Sequence, residues 1–305
     1  MTDPQLIIIG AGPAGMAAAL YTGRARIKTL MIERLGAGGQ ILWTDFIENY
    51  LGFPDGIAAY ELIEKMATHA RKFGVEELSG DVSSIEPDKT KGCINVRMEA
   101  ATLCPKAVII ATGANPRRLG VKGEVELTGK GVSYCATCDG AFFKDQVVAV
   151  VGGGDTAVQE AIFLTRFAKK VYLIHRRDQL RATGILKERA RSNPKIEPVW
   201  NTVVEGIEGD GSVKAILLLN KATGERKTLP LDGVFVFIGL QPNTMFLPGS
   251  IEKDDQGFLI TDEWMRTSVP GVFAAGDCRS KPLRQIITAV GDGATAAYAA
   301  EQLIG

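Results

Sequence analysis

The stretch IIIGAGPAGMAAALYTGRARIKTLMIER (residues 7–34) decides the fold, because its pattern recurs without a gap in AVVGGGDTAVQEAIFLTRFAKKVYLIHR (residues 149–176). The glycine-rich turns of the two copies coincide, Gly10 with Gly152. Each copy is a short apolar run, a glycine-rich turn, a helical stretch and a second apolar run. Two parallel strands need a crossover helix of about this length between them. The sequence therefore predicts a strand–turn–helix–strand unit in each half of the chain.

Both turns have the spacing of a dinucleotide-binding fingerprint. The first glycine of such a turn allows a tight bend, the second lets the backbone approach a pyrophosphate, and the third small residue lets the helix pack closely. The N–H groups and the partial positive charge at the helix N-terminus then bind the phosphates. The candidate phosphate-binding residues are Gly10, Gly12, Pro13, Ala14 and Gly15 in the first copy, and Gly152, Gly154, Asp155, Thr156 and Ala157 in the second.

The copies differ where the second strand ends. The first copy has Glu33, at the spacing expected for a carboxylate that holds ribose hydroxyls. The second copy has His175, Arg176 and Arg177, followed by Arg181. Guanidinium groups suit a 2′-phosphate, so the second site is expected to bind NADP(H) rather than NAD(H). A solvated basic face is the alternative, but it does not explain why arginines directly follow the strand end.

Two different dinucleotide sites imply electron transfer between them, which makes FAD the expected ligand of the first site if the second binds NADPH.

The apolar strands that follow in each half end close to Pro116 and Pro242, which mark crossovers between domains. We therefore predict an α/β protein with two Rossmann-like domains, the second inserted in the first. Residues 1–116 and 244–305 form the predicted FAD domain and residues 117–243 the predicted NADPH domain. Small residues in the final helix, 291–303, are expected to permit close packing.

Composition narrows the function further. The 305 residues suggest two domains, and 35 basic side chains balance 35 acidic ones, so charge gives no reason to expect nucleic acid or an anionic membrane as a partner. No apolar run reaches the roughly 18 residues of a membrane span, and we expect a cytoplasmic protein.

Cys93, Cys104 and Cys278 are expected to be small buried hydrophobic residues. No second cysteine or histidine pair has the spacing of a zinc site, so no metal is expected.

The remaining two cysteines carry the expected chemistry. Cys135 and Cys138 form a CxxC motif, which can close a small disulfide ring and often lowers the pKa of one thiol. Asp139 follows directly, and a carboxyl group there could exchange a proton with the thiolate that forms when the disulfide opens. An inert turn with two buried cysteines is the alternative interpretation.

The motifs together resemble the low-molecular-weight, bacterial-type thioredoxin reductases over nearly the whole chain. The stretches that carry the resemblance are GAGPAG (10–15), GGQ (38–40), ENYLGFPDGI (48–57), ATGA (111–114), CATCDG (135–140), GGGDTA (152–157), HRRDQLRA (175–182), GD (276–277) and RQ (284–285). The chain departs from the family pattern at Leu51, where proline is usual.

This resemblance implies that NADPH reduces FAD, that FAD reduces the Cys135–Cys138 disulfide, and that the dithiol reduces thioredoxin. It implies that Cys138 faces the flavin, that Cys135 attacks the partner disulfide and that Asp139 acts as the acid. It also implies a homodimer. The further FAD-binding residues that it implies are Gly39, Gln40, Asn49, Gly113, Asp277, Arg284, Gln285 and Ile286.

Other functions share parts of this pattern. A flavoprotein reductase of another small disulfide protein has both fingerprints and a CxxC. A redox-sensing flavoprotein binds the cofactors without rapid turnover. A glutathione reductase-like enzyme is disfavoured because its cysteines would lie in the FAD domain, and a ferredoxin-linked reductase because it would lack the CxxC.

Overall fold

The computed structural model describes residues 4–43 and 46–305. The chain divides into two compact units, residues 1–115 with 241–305 (unit 1) and residues 116–240 (unit 2). These boundaries lie within three residues of those expected from the two prolines. Unit 2 is inserted in unit 1, and each unit is described by itself below.

The elements of unit 1 up to the insertion are β1 (Leu6–Ile9), α1 (Pro13–Arg24), β2 (Thr29–Glu33), β3 (Phe46–Ile47), β4 (Ile57–Ala58), α2 (Ala59–Arg71), β5 (Glu76–Ser79), β6 (Val82–Asp88), β7 (Cys93–Met98), β8 (Thr102–Leu103), β9 (Ala107–Ile110) and the crossing strand β10 (Ala114–Pro116). Those of unit 2 are β11 (Val132–Ser133), α3 (Ala136–Asp139), β12 (Val147–Gly152), α4 (Asp155–Leu164), β13 (Lys170–Ile174), α5 (Gly184–Ser192), β14 (Ile196–Val199), β15 (Thr202–Gly209), β16 (Val213–Asn220), β17 (Arg226–Pro230) and β18 (Gly233–Phe237). The chain returns through β19 (Leu240–Pro242) and ends with β20 (Val272–Ala274) and α6 (Ile286–Ile304).

Each unit is built on a five-stranded parallel sheet. In unit 1 the strand order is β20-β9-β1-β2-β5, and in unit 2 it is β11-β18-β12-β13-β14. The predicted strand–turn–helix–strand repeat is β1-α1-β2 in unit 1 and β12-α4-β13 in unit 2. The predicted fold class, two Rossmann-like α/β domains, is confirmed.

Each parallel sheet is covered on both faces, which is why its central strands are almost uniformly apolar. In unit 1, Leu6 and Ile8 of β1 pack in the same cluster as residues of α1 and α6, whereas Ile7 and Ile9 pack with residues of β6 and β7. An antiparallel sheet of order β6-β7-β8 thus covers the second face. Unit 2 repeats the arrangement, with α4 and α5 on one face and the antiparallel sheet β15-β16-β17 on the other.

In the described part of the chain, no helix is both long enough and apolar enough to cross a bilayer.

The final helix of unit 1 packs against α1 at very short range. Gly293 of α6 is buried, and a Cβ atom at this position would collide with the backbone carbonyl oxygen of Ala14 in α1. Gly291 lies two residues earlier in the same helix, is exposed, and has open space around its missing Cβ. The expected close packing of small residues is confirmed, and Gly293 is the position that requires it.

We predict that Gly293→Ala lowers the free energy of unfolding of unit 1 by about 1–3 kcal/mol, because the added methyl group forces the two helices apart. Gly291→Ala is the matched control, and it should raise stability by up to about 1 kcal/mol through helix propensity alone. Thermal denaturation of the two variants provides the measurement, and equal midpoints would contradict the packing argument.

Candidate functional site

The candidate flavin-site residues of unit 1 lie at one edge of its parallel sheet. Ile9, Ile32, Ile110 and Ala274 are aligned across four neighbouring strands. Because all these strands run in the same direction, the residues that follow them meet at the carboxyl edge, where ligands of doubly wound sheets bind. The predicted site residues at or just after the ends of these strands are Gly10, Glu33, Gly113 and Asp277.

The first glycine-rich turn leaves a space in front of helix α1. A Cβ atom on Gly10, whose φ is +107°, would collide with the carbonyl oxygen of Ala111, and one on Gly15 would collide with the carbonyl oxygen of Gly10. Gly12, the N-cap residue of α1, has no atom within 4 Å of its missing Cβ. Gly39 lies next to Gly12, with 3.7 Å between a Cβ on Gly39 and the Gly12 Cα. This open backbone cradle is suited to a phosphate group.

Glu33 connects the end of β2 to this turn. The N–H of Ala11 donates to Glu33 Oε2 (2.8 Å), and the N–H of Leu35 donates to Glu33 Oε1 (2.9 Å). A carboxylate oxygen can accept two hydrogen bonds, so each Glu33 oxygen still has a lone pair available to a ribose hydroxyl. Glu33 therefore shapes the turn as well as offering acceptors to a ligand.

Asp277 has a buried oxygen without a partner. It lies in the 3-10 helix Gly276–Cys278, and its Oδ1 has no hydrogen-bond partner among the described residues. Burial raises the pKa of the Asp277 carboxyl, and the charges of Lys281 and Arg284 oppose that rise. A buried orphan acceptor at this edge is the feature expected where a ligand hydroxyl donates.

The segment before α6 joins site residues that are far apart in the sequence. Asn49 Nδ2 donates to Gln285 Oε1 (3.1 Å). Gln285 is the N-cap residue of α6, in a capping box with Thr288, and Ile286 is the first residue of that helix. The guanidinium of Arg284 lies 4.1 Å from the centroid of the Phe258 ring and donates to the carbonyl oxygen of Asp277 (3.4 Å). Arg284 thus contacts the backbone beneath the site.

Leu51 and Gln40 complete the predicted set on this side. Leu51, which replaces the family's usual proline, is almost fully exposed (88%). Gln40 is half-buried in the 3-10 helix Gly39–Trp43.

The second glycine-rich turn repeats this geometry in unit 2. A Cβ on Gly152 would collide with the carbonyl oxygen of Phe237 and would lie 2.6 Å from the Cβ of Ala157. Gly154, the N-cap residue of α4, has open space around its missing Cβ. Asp155 is the first residue of α4, and its Oδ1 accepts from the N–H of Thr183 (2.7 Å). Thr156 is exposed in the first turn of that helix, beside the open space.

A basic pocket follows the next strand of unit 2. Its volume is about 640 Å³, and its lining residues are Arg176, Arg177, Asp178, Gln179, Leu180, Arg181, Lys187 and Asn201. The N–H of Arg181 donates to the carbonyl oxygen of Gly153 (2.7 Å), which holds this loop against the glycine-rich turn. The exposed guanidinium groups of Arg176, Arg177 and Arg181 line the pocket together with the ammonium group of Lys187. Asp178 contributes the one carboxylate among the lining residues. This is a suitable environment for a phosphate dianion.

His175 lies beneath the glycine-rich turn rather than in the basic pocket. Its side chain is buried, and its ring occupies the space that a Cβ on Gly153 would need. Burial lowers the pKa of His175, and the charges of Arg181, Arg177 and Arg176 lower it further. Both effects favour the neutral imidazole, which supports the turn from below.

The CxxC motif lies at the same carboxyl edge of the unit 2 sheet. Ser133, the last residue of β11, is aligned with Phe235 of β18, which is in turn aligned with Val150 of β12. Cys135 comes two residues after β11, and the glycine-rich turn begins two residues after Val150. Two strand spacings, about 10 Å, separate β11, which leads to the motif, from β12, which leads to the turn. This brings the CxxC motif and the second glycine-rich turn to one side of one domain.

The two cysteines of the motif are joined as a disulfide, with their Cα atoms 5.3 Å apart. Cys135 is the N-cap residue of α3, and the N–H of Cys138 donates to Cys135 Sγ (3.2 Å). A hydrogen bond to sulfur stabilises the thiolate over the thiol, so Cys135 is the better placed of the two to act as a nucleophile. Asp139 ends α3, one residue from Cys138.

A buried glutamate that the sequence analysis missed holds the segment before the motif. Glu124 is 1% exposed and accepts from the N–H groups of Leu119 and Gly120 and from the hydroxyl of Tyr134 (2.9 Å). Burial, followed by the Glu124 hydrogen bond, raises the pKa of Tyr134 to about 12. Tyr134 directly precedes Cys135, so this contact helps to set the path of the chain into the motif.

The expectation for the remaining cysteines is wrong at two of three positions. Cys278 is fully buried, as expected, and burial raises the pKa of its thiol to about 11. Cys93 and Cys104 are only half-buried and form a second disulfide. Composition could not reveal this pairing, because Cys93 and Cys104 have no motif spacing and are brought together by a hairpin.

We predict that His175 makes the protein less stable as the pH falls below about 6.5. Because the pKa of His175 is lowered by folding, the unfolded chain takes up a proton there before the folded chain does, and stability is lost as the pH falls toward the folded-state pKa. His175→Gln should make the decrease in melting temperature between pH 7 and pH 5 less steep. The only other histidine, His69, is exposed on α2, and His69→Gln is the matched control for replacing an imidazole by an amide. Identical profiles for the wild type and His175→Gln would refute the assignment.

Comparisons with known proteins agree with the geometry. The chain is 50% identical over 98% of its length to a thioredoxin reductase from Listeria monocytogenes, of which it covers 93%, and 49% identical to one from Peptoclostridium acidaminophilum, with 98% and 96% covered. The crystal structure of thioredoxin reductase from Streptococcus pyogenes superposes with a TM-score of 0.93 at 49% identity, covering 98% of this chain and 97% of that one. The thioredoxin reductase from Giardia duodenalis gives 0.91 at 38% identity, with 98% of each chain covered. The model of the pyridine nucleotide-disulphide oxidoreductase family matches residues 4–293, and the chain belongs to that family.

Proposed function

We propose that this protein is an NADPH-dependent thioredoxin reductase, in which the Cys135–Cys138 pair carries electrons to the disulfide of thioredoxin. The observation that carries the proposal is the position of this pair, at the sheet edge that also bears the second dinucleotide-binding turn. Membership of the family, and relatives that are named thioredoxin reductases, support the substrate.

FAD and NADPH are the cofactors of the family, and the chain has a suitable site for each. We place FAD in unit 1, where the open backbone at Gly12, the acceptors of Glu33 and the orphan Oδ1 of Asp277 fit phosphate and hydroxyl groups. We place NADPH in unit 2, with its pyrophosphate at Gly154 and its 2′-phosphate in the basic pocket. The other predicted residues of each site keep the roles given by the sequence, except His175, whose buried ring supports the glycine-rich turn of unit 2.

When bound, the flavin accepts a hydride from NADPH and supplies two electrons to the Cys135–Cys138 disulfide. Cys138 takes the flavin-facing role, because Cys135 is the cysteine whose sulfur accepts the Cys138 N–H and is stabilised as a thiolate. Cys135 attacks one sulfur of the thioredoxin disulfide and forms a mixed disulfide. Cys138 then attacks the Cys135 sulfur, which restores the ring and releases thioredoxin as a dithiol. Asp139 supplies the proton that the departing thiolate takes up.

The protein acts as a homodimer in the cytoplasm in this proposal. Family resemblance supports the dimer, and the bacterial thioredoxin reductases among the relatives support the location.

The test is NADPH oxidation by the purified flavoprotein with and without oxidised thioredoxin. Wild-type protein should show turnover that depends on thioredoxin. Cys135→Ser and Cys138→Ser should each still allow NADPH to reduce the flavin but lose at least about 10³-fold in thioredoxin turnover, because neither can complete the exchange. Thr137→Ser is the matched control, since Thr137 is exposed between the two cysteines, and it should keep its activity.

Two outcomes would contradict the proposal. Retained thioredoxin turnover in Cys135→Ser would remove the pair from the reaction. Flavin that NADPH reduces but that no thioredoxin reoxidises would indicate a reductase of another small disulfide protein, to be identified with a panel of such proteins.

The nucleotide preference gives a second prediction. Arg176→Ala/Arg177→Ala should raise the KM for NADPH by about tenfold or more and leave the KM for NADH nearly unchanged, because only NADPH has a phosphate for these side chains to bind. Arg189→Ala/Arg191→Ala removes two exposed arginines of α5 that do not line the pocket and should change neither KM. An equal loss with both nucleotides would mean general damage rather than lost phosphate recognition.

A further inference from the structure

The second disulfide lies in the antiparallel layer of unit 1, away from the motif in unit 2. Cys93 is the first residue of β7, and Cys104 directly follows β8. These strands pair as a hairpin, and the Cα atoms of the two cysteines are 5.5 Å apart, within the usual range for a disulfide. Eleven positions of sequence separate them.

The backbone holds the two cysteines together without help from the sulfur–sulfur bond. The N–H of Ile94 donates to the carbonyl oxygen of Pro105 (2.9 Å), and that of Met98 donates to the carbonyl oxygen of Ala101 (2.8 Å). These bonds close the hairpin on both sides of its paired strands. When the disulfide is reduced, the two thiols therefore stay within reach of one another.

The reduced pair also has a polar neighbour. Cys104 Sγ lies 3.3 Å from Asn95 Oδ1, which can accept a hydrogen bond from the free thiol. Asn95 Nδ2 is 3.5 Å from Asp88 Oδ2, so the amide is oriented with its oxygen toward the sulfur. Both redox states of the pair are thus accommodated.

Exposure distinguishes this pair from the third remaining cysteine. Cys93 and Cys104 are half-buried on an antiparallel sheet, whereas Cys278 is enclosed beneath β9 with its sulfur against the carbonyl oxygen of Ile110. Small thiols and disulfides from solution can reach the first two but not the third. Exchange requires such access.

We propose that Cys93 and Cys104 form a second, reversible disulfide, which low-molecular-weight disulfides close and dithiols open, and which cross-links the β7–β8 hairpin of unit 1. One thiolate of the pair attacks a sulfur of the small disulfide and releases one small thiol. The other thiolate attacks the resulting mixed disulfide at the protein sulfur and releases the second. Two protein thiols are oxidised, one small disulfide is reduced to two thiols, and these thiols carry away the two protons.

The cross-link is placed to stabilise the flavin-binding unit. Ala107, the first residue of β9, follows Cys104 by three positions, and β9 lies between β1 and β20 in the parallel sheet. Restricting the hairpin limits the freedom of the unfolded chain that leads into this strand. The oxidised protein should therefore unfold at a higher temperature than the reduced one.

The experiment uses the full-length flavoprotein with Cys135→Ser/Cys138→Ser, which leaves Cys93 and Cys104 as the only accessible pair. One sample is treated with oxidised glutathione and another with dithiothreitol, and free thiols are then alkylated. Trypsin cleaves after Arg97, between the two cysteines, and gives the peptides GCINVR (92–97) and MEAATLCPK (98–106). Mass spectrometry should find the two peptides linked after oxidation and separate, each alkylated, after reduction.

The same samples test the stabilising effect. Oxidation should raise the melting temperature by about 3 °C or more, and the further substitution Cys104→Ser should abolish both the linked peptides and the shift. Absence of the linked peptides after oxidation would overturn the disulfide, and linked peptides without a shift would overturn its stabilising role. Neither readout requires thioredoxin turnover, so a failure here is distinct from a failure of the proposed function.

Discussion

The structure depends on two close approaches of backbone to backbone, one in each unit. Gly10 passes the carbonyl oxygen of Ala111, and Gly152 passes that of Phe237, at distances that no side chain would allow. In unit 1 this carbonyl group follows β9, which pairs with β1 on the side opposite β2. In unit 2 it ends β18, which pairs with β12 on the side opposite β13. These contacts begin each crossover helix close to the sheet edge, with its first N–H groups facing open space. The phosphate-binding geometry follows from this constraint before any charged side chain contributes.

The two units differ in the charged side chains at the carboxyl edge of the parallel sheet. Unit 1 presents carboxylates, Glu33 and Asp277, which suit the hydroxyl groups of a ligand. Unit 2 presents guanidinium groups, which suit an additional phosphate, and it adds a disulfide at the end of β11. The same architecture thus offers two different nucleotide sites, and only unit 2 has a disulfide at the sheet edge that carries its glycine-rich turn.

The sequence predicted the structure best at positions where the backbone geometry allows only glycine or another small residue. The glycine spacing predicted both strand–turn–helix units and the paired sites, because only small residues tolerate the approaches at Gly10 and Gly152. The antiparallel layers were not predicted, since their strands have no motif. His175 was assigned to the nucleotide site from its position after the strand, yet its ring packs inward beneath Gly153.

Contacts between residues without a shared motif had no signal in the sequence. Glu124 and Tyr134 meet in a folded loop, and nothing in their spacing identifies a buried carboxylate with three donors. Cys93 and Cys104 were misjudged for the same reason, since the β7–β8 hairpin that pairs them cannot be recognised from a strand as short as Thr102–Leu103. Pairing of this kind depends on tertiary structure and not on local pattern.

The central claim is that electrons from NADPH reach the Cys135–Cys138 pair through the flavin. Its most direct test is an anaerobic titration with NADPH that follows flavin absorbance, in protein whose Cys93 and Cys104 are replaced by serine. Complete bleaching should require about two equivalents of NADPH per chain, because flavin and disulfide each accept two electrons, and about one equivalent when Cys135 and Cys138 are also replaced. The same requirement in both proteins would contradict the account, since the disulfide would then receive no electrons.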